Sequence, residues 1–90
     1  MSTPEPPPSA QARLTLLTRH DCGLCEELLH ELDAVRARFP AVPAVQLVDV
    51  DTDAALQRRW GMKVPVLLLD GALVCAGRLD TPELLRLLRL

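Results

Sequence analysis

The chain predicts an α/β fold of three layers, helix on sheet on helix, built on a mixed four-stranded sheet in the order β-α-β-α-β-β-α. Three observations carry this. Short apolar runs of strand character alternate with helical periodicity through most of the sequence. A strand, a helix and a second strand close as a right-handed parallel crossover. Asp70-Gly71 then joins two further apolar runs directly, the signal for a tight antiparallel hairpin.

Residues 1–12, MSTPEPPPSAQA, hold four prolines and little to bury, so they are expected to form a disordered or polyproline leader, with the domain at 13–90. Leu14, Leu16 and Leu17 with Thr15 and Thr18 make a first strand over 13–18, ending at the polar Arg19-His20-Asp21. From Leu24 to Phe39, apolar residues at 24, 28, 32, 35 and 39 follow one helical face, and Pro40 and Pro43 end the helix. Val45 to Val50 is apolar apart from Gln46 and Asp49, the pattern of a strand covered on both sides. Asp51-Thr52-Asp53 offers caps for a short helix over 54–60 that stops at Gly61, with Arg58 and Arg59 in its last turn. Strands over 66–69 and 72–76 flank a type I′ turn at Asp70-Gly71. The last helix opens at Thr81-Pro82-Glu83, and Asp80 with Glu83 fits a capping box.

Ninety residues leave room for one domain, and with 49% apolar residues, 19 of them leucine, a core forms without disulfide staples. Collagen, disorder and a disulfide scaffold are excluded. A net charge of −2 and only two aromatics, Phe39 and Trp60, give neither a basic surface nor a stacking platform, so nucleic acid is not an expected partner. No apolar run approaches the roughly 20 residues that span a bilayer, and the start lacks a signal-peptide pattern, so the expectation is a cytoplasmic chain without membrane contact. Three cysteines, two of them closely spaced, suit a reducing compartment where thiols do chemistry.

Cys22-Gly23-Leu24-Cys25 falls where the first strand turns into the long helix. A helix's first turn leaves N–H groups unpaired and gathers about half a positive charge, so a thiolate there is stabilised below the free pKa of about 8.5. Cys22 is therefore the expected nucleophile. Cys25, one turn on and on the same side, is the expected resolving thiol. Asp21 and Glu26 oppose the dipole, whereas Arg19 and His20 support it. A bare C-x-x-C suits redox and metal chemistry about equally, and its place at a strand-to-helix turn favours redox. Val64-Pro65 reads, from the residues alone, as a trans proline opening a strand.

Taken together, a C-x-x-C between strand and helix, followed some forty residues later by Gly61-Met62-Lys63-Val64-Pro65-Val66 and an Asp-Gly hairpin, resembles the thioredoxin fold in its small, glutaredoxin-like form. The resemblance covers residues 13–90 and is nearest to a bacterial group of glutaredoxin-like proteins. It implies a dithiol–disulfide oxidoreductase with Cys22 and Cys25 catalytic, and a cis Pro65 facing the pair with the Val64 backbone exposed for pairing with substrate. Arg19 matches the basic residue that glutaredoxins place near a glutathione carboxylate, and Gly77 and Asp80 match part of the region holding the tripeptide's other end. The chain departs from the pattern in having Gly23-Leu24 between the cysteines and Ala76-Gly77 in place of paired glycines. The implied substrates are protein or low-molecular-weight disulfides, the implied electron donor is a thiol or a reductase, and glutathione is the implied co-substrate. No tightly bound cofactor or metal is expected, and the chain is expected to be a monomer.

The rival class is metal or iron–sulfur binding through the same cysteines. His20, Cys22, Cys25 and His30 could supply nitrogen and sulfur ligands, and Cys22, Cys25 and His30 begin the C-x2-C-x4-H spacing of a zinc knuckle, but Val35 stands where its last cysteine belongs. A copper-chaperone module needs a different element order, and a cluster shared between two chains through Cys22 and glutathione stays open. A third alternative is an interaction module that exchanges nothing. Cys75 is expected to be a packed, inert thiol, Trp60 a core plug and His30 a helix-surface residue. The leucines of the last helix leave room for a dimer contact.

Overall fold

The structure, a computed structural model, describes residues 12–90. The expected leader lies outside the described residues except for Ala12, which packs against the core. The elements are β1 (Leu14–Thr18), α1 (Gly23–Arg38), β2 (Val45–Asp49), a 3-10 turn (Val50–Thr52), α2 (Ala54–Trp60), β3 (Val66–Leu69), β4 (Ala72–Ala76) and α3 (Thr81–Leu88). The sheet runs β2-β1-β3-β4, with β1 parallel to β2, and β3 antiparallel to both β1 and β4.

The period-2 alternation of the strands divides the interior in two. On one face Leu14, Leu16, Leu67 and Val74 meet Leu28 and Leu32 of α1, Leu84 and Leu88 of α3, and Val42. On the other, Leu17, Val66 and Leu68 meet Val50 and Trp60, so the short α2 is held in place by its terminal tryptophan. Arg58 and Arg59 lie in its last turn, and Asp53 caps its start by accepting from the N–H groups of Ala55 and Leu56. Among the described residues no helix is long and apolar enough to cross a membrane.

Several expectations shift on contact with the packing. Arg13 lies outside β1, although it still exchanges two hydrogen bonds with Asp70 across the sheet. Leu24 is 48% exposed, and Cys25 takes its place in the inward row with Leu28 and Leu32, because positions 25, 28 and 32 form the tighter stripe. β2 is covered on both faces only in part: Val45 packs into the cluster on the α1 face and Val48 into the cluster on the α2 face, both half-buried, while Gln46, Leu47 and Asp49 of this edge strand are exposed. The 3-10 turn after β2 was not expected; the Asp49 carboxylate accepts from the Asp51 N–H and folds the chain there.

The hairpin has positive φ at Asp70 (51°) and Gly71 (84°), the pair of values a type I′ turn requires. Its register slips between Leu67 and Leu68, so β4 carries one extra residue, Val74, between the paired Leu73 and Cys75. At α3, Asp80 is the cap and accepts from the Glu83 N–H. The expected capping box does not close, because the Glu83 carboxylate turns forward to pair with Arg86.

Candidate active site

β1 delivers the chain to the end of the sheet, and three residues later Asp21, with a φ of 54°, turns it into α1. Cys22 is the residue on which α1 starts. Its extended backbone (φ −109°, ψ 100°) leaves the carbonyl to accept from the Glu26 N–H at 3.2 Å, while the sulfur accepts from the Cys25 N–H at 3.1 Å. The sulfur thus occupies the place that a serine or aspartate oxygen takes at ordinary helix starts. Cys22 and Cys25 are joined as a disulfide, with Cα atoms 5.2 Å apart. Their surroundings differ: Cys22 is half-exposed, whereas Cys25 is 5% exposed behind it.

Arg19 ties the loop before the cysteines to the opposite face of the sheet. Its Nε donates to Asp51 at 3.0 Å, its Nη2 to the other carboxylate oxygen at 3.2 Å, and its Nη1 to the Gly61 carbonyl at 2.9 Å. Gln57 also donates to Asp51. The Arg19 hydrogen bond holds the Asp51 carboxyl below its usual range, and that same bond pushes the Arg19 guanidinium further up. Gly61 is required for this approach. A Cβ there would collide with the Gln57 carbonyl and come within 3.2 Å of Arg19 Nη2.

Beside the disulfide is an open pocket of about 270 Å3. Thr18 lines it from the end of β1, Arg19, His20 and Asp21 from the loop, Cys22, Cys25, Glu26 and Leu29 from the start of α1, and Leu47 from β2. His20 and Asp21 approach each other at 3.5 Å, both fully at the surface. Of the residues singled out in the sequence, Arg19, His20, Asp21, Cys22, Cys25 and Glu26 meet in this pocket. Val64, Pro65 and Gly77 do not line it, but they lie at the same end of the sheet. Leu17 pairs with Val66, so Pro65 falls alongside the end of β1, and the Gly77 N–H donates to the Pro65 carbonyl at 2.8 Å. The Val64–Pro65 bond is cis, Pro65 is buried, and Val64 packs against the Trp60 cluster. Asp80 sits at the start of α3 in its capping role.

Cys75 is half-buried in β4, where burial pushes its thiol up. Among the described residues no three His, Cys, Asp or Glu side chains converge as metal ligands. Sequence reasoning missed Leu29 and Leu47 as lining residues and Asp51 and Gly61 as partners of Arg19; Asp51 signals a helix cap and Gly61 a helix stop, and neither pattern announces the Arg19 contact.

The sequence matches the family model described as Glutaredoxin-like domain (DUF836) over residues 13–89. The solution NMR structure of protein Ne2328 from Nitrosomonas europaea superposes with a TM-score of 0.71 at 24% identity, over 92% of this chain and 93% of that one. The X-ray structure of protein XcR50 from X. campestris superposes with a TM-score of 0.62 at 33% identity, over 84% of this chain and 95% of that one. No curated protein matches the sequence.

Proposed function

Since the chain belongs to the glutaredoxin-like domain family and sets its cysteine pair on a thioredoxin-like α/β fold, we propose that it is a dithiol–disulfide oxidoreductase acting through Cys22 and Cys25. One observation supports this above the others: the Cys22 sulfur caps α1 and accepts the Cys25 N–H, while Cys25 is buried behind it. A sulfur in that place is stabilised as a thiolate by the amide and by the helix dipole. The less accessible partner stays close enough to resolve.

In the reduced protein the Cys22 thiolate attacks one sulfur of a substrate disulfide. The substrate S–S bond breaks, a bond from Cys22 to that sulfur forms, and the other substrate sulfur leaves as a thiolate that takes up a proton. Cys25, losing its proton, then attacks the Cys22 sulfur. The Cys22–Cys25 bond forms and the second substrate thiol leaves, so two electrons pass from the dithiol to the substrate. A thiol donor or a reductase returns those electrons. The substrates are protein or low-molecular-weight mixed disulfides, with glutathione as co-substrate. Val64 would pair its backbone with the substrate beside Pro65, and Gly77 and Asp80 would meet the far end of a bound glutathione. Arg19, engaged by Asp51 and Gly61, would hold the cysteine loop in place from the pocket rim. A reducing bacterial cytoplasm is the setting that suits such a dithiol.

The test is turnover of a mixed disulfide by single variants. Cys22→Ser is expected to fall to background, and Cys25→Ser to accumulate a covalent mixed disulfide on Cys22, seen by mass spectrometry. Equal turnover by the wild type and Cys22→Ser would overturn the proposal.

A further inference from the structure

The geometry points to the pocket on the β2 side of the disulfide as a subsite for a lysine or arginine flanking the reactive cysteine of a protein substrate. This rests on reading the cysteine pair as a thiol–disulfide exchange site. The pocket, at about 270 Å3 and open to solvent, is large enough to take one long side chain beside the disulfide. Two walls are apolar. Leu29 comes from α1, and Leu47, 53% exposed, comes from the sheet edge, where pairing with Leu16 turns it to the α1 face. Exposure of that size on an edge strand leaves apolar surface available to an aliphatic stem.

The charges around the pocket settle which head group follows the stem. Arg19 is matched by Asp51, so it presents little net charge to an incoming group. Asp21 meets only His20, at 3.5 Å and at the surface, and Glu26 has no ion-pair partner among the described residues. Two acidic residues without a lysine or arginine partner among the described residues therefore line the pocket. Lysine and arginine combine an aliphatic stem with a cationic tip, and they match apolar walls with an acidic rim, whereas a glutamate would meet like charge. Both cysteines line the same pocket, so a side chain seated there belongs to a residue adjacent to the substrate cysteine under attack.

The test uses three peptides, identical except for lysine, glutamine or glutamate on either side of one cysteine, each disulfide-linked to the same uncharged thiol. Rates of reduction by the protein are divided by the rates with dithiothreitol, which removes the peptides' own differences in reactivity. The lysine peptide is expected to exceed the glutamate peptide about tenfold in kcat/KM, with glutamine between, as two partly screened charge contacts allow. The gap should shrink as salt rises. Glu26→Gln should narrow the gap, and Glu26→Lys, which leaves Asp21 beside one lysine, should abolish it. Because each comparison is made within one protein, any change in the reactivity of Cys22 cancels. Equal normalised rates in the wild type, or an unchanged preference in Glu26→Lys, would overturn the subsite and leave the exchange reading standing. No turnover of any of the three peptides would overturn both.

Discussion

Arg19 and Asp51 are separated by 32 positions in sequence and joined by two hydrogen bonds, a link that no local pattern announces. Its signature is pH dependence. The Asp51 carboxyl lies below its ordinary value, chiefly through the Arg19 hydrogen bond, so the native state is favoured above the unfolded pKa of about 3.9 and loses that support as pH falls through the lowered value. Asp51→Asn should accordingly flatten the fall of Tm with acidity below about pH 4, an effect kept small by solvent around an exposed pair. Superimposable Tm–pH curves for the two proteins would contradict it. Cys75 is the opposite case, a thiol that burial pushes up. In the reduced protein at pH 8 its alkylation should run more slowly than in urea, and equal rates in the two conditions would show that the strand does not protect it. That a half-buried β4 cysteine is packed was legible from residue type and neighbours, whereas the partner of Arg19 was not.

The helices and strands themselves were legible nearly to their ends. The hairpin strands Val66–Leu69 and Ala72–Ala76 and the helix Ala54–Trp60 coincide with their expected spans, because Asp-Gly, an N-cap aspartate and a terminal glycine punctuate them chemically. β2 has less cover than its apolar run suggests, with only Val45 packed on one face and Val48 on the other, because such a run reports strand character but not which strands flank it, and the observed order puts β2 at the edge. The exposed Leu47 that results is what opens the pocket. At α2 the close approach of Arg19 depends on Gly61. Gly61→Ala should destabilise the fold by about 1–3 kcal/mol in urea unfolding, since the added methyl meets the Gln57 carbonyl. An unchanged unfolding midpoint would mean that the end of α2 yields without cost.

Over the whole molecule, two apolar clusters clamp the sheet, and the larger one seats the helix that carries the cysteines. Leu28, 1% exposed, stands one turn beyond Cys25 and presses α1 onto β1. Leu28→Ala should cost about 2–5 kcal/mol in the unfolding midpoint, while Leu47→Ala at the exposed edge should stay within about 0.5 kcal/mol. Similar losses at the two positions would undo the division between core and open pocket. The layer order and the cysteine pair were readable from periodicity and motif. The pocket and the Arg19 link were not, because they are made by residues brought together only when the sheet closes. The central claim, that the Cys22 sulfur is the nucleophile, is tested most directly by following alkylation of each cysteine in the reduced protein against pH, with mass spectrometric site assignment. Cys22 should titrate below the free-thiol value of about 8.5, with Cys25 above it. A Cys22 midpoint at or above that value, or one shared with Cys25, would contradict the account.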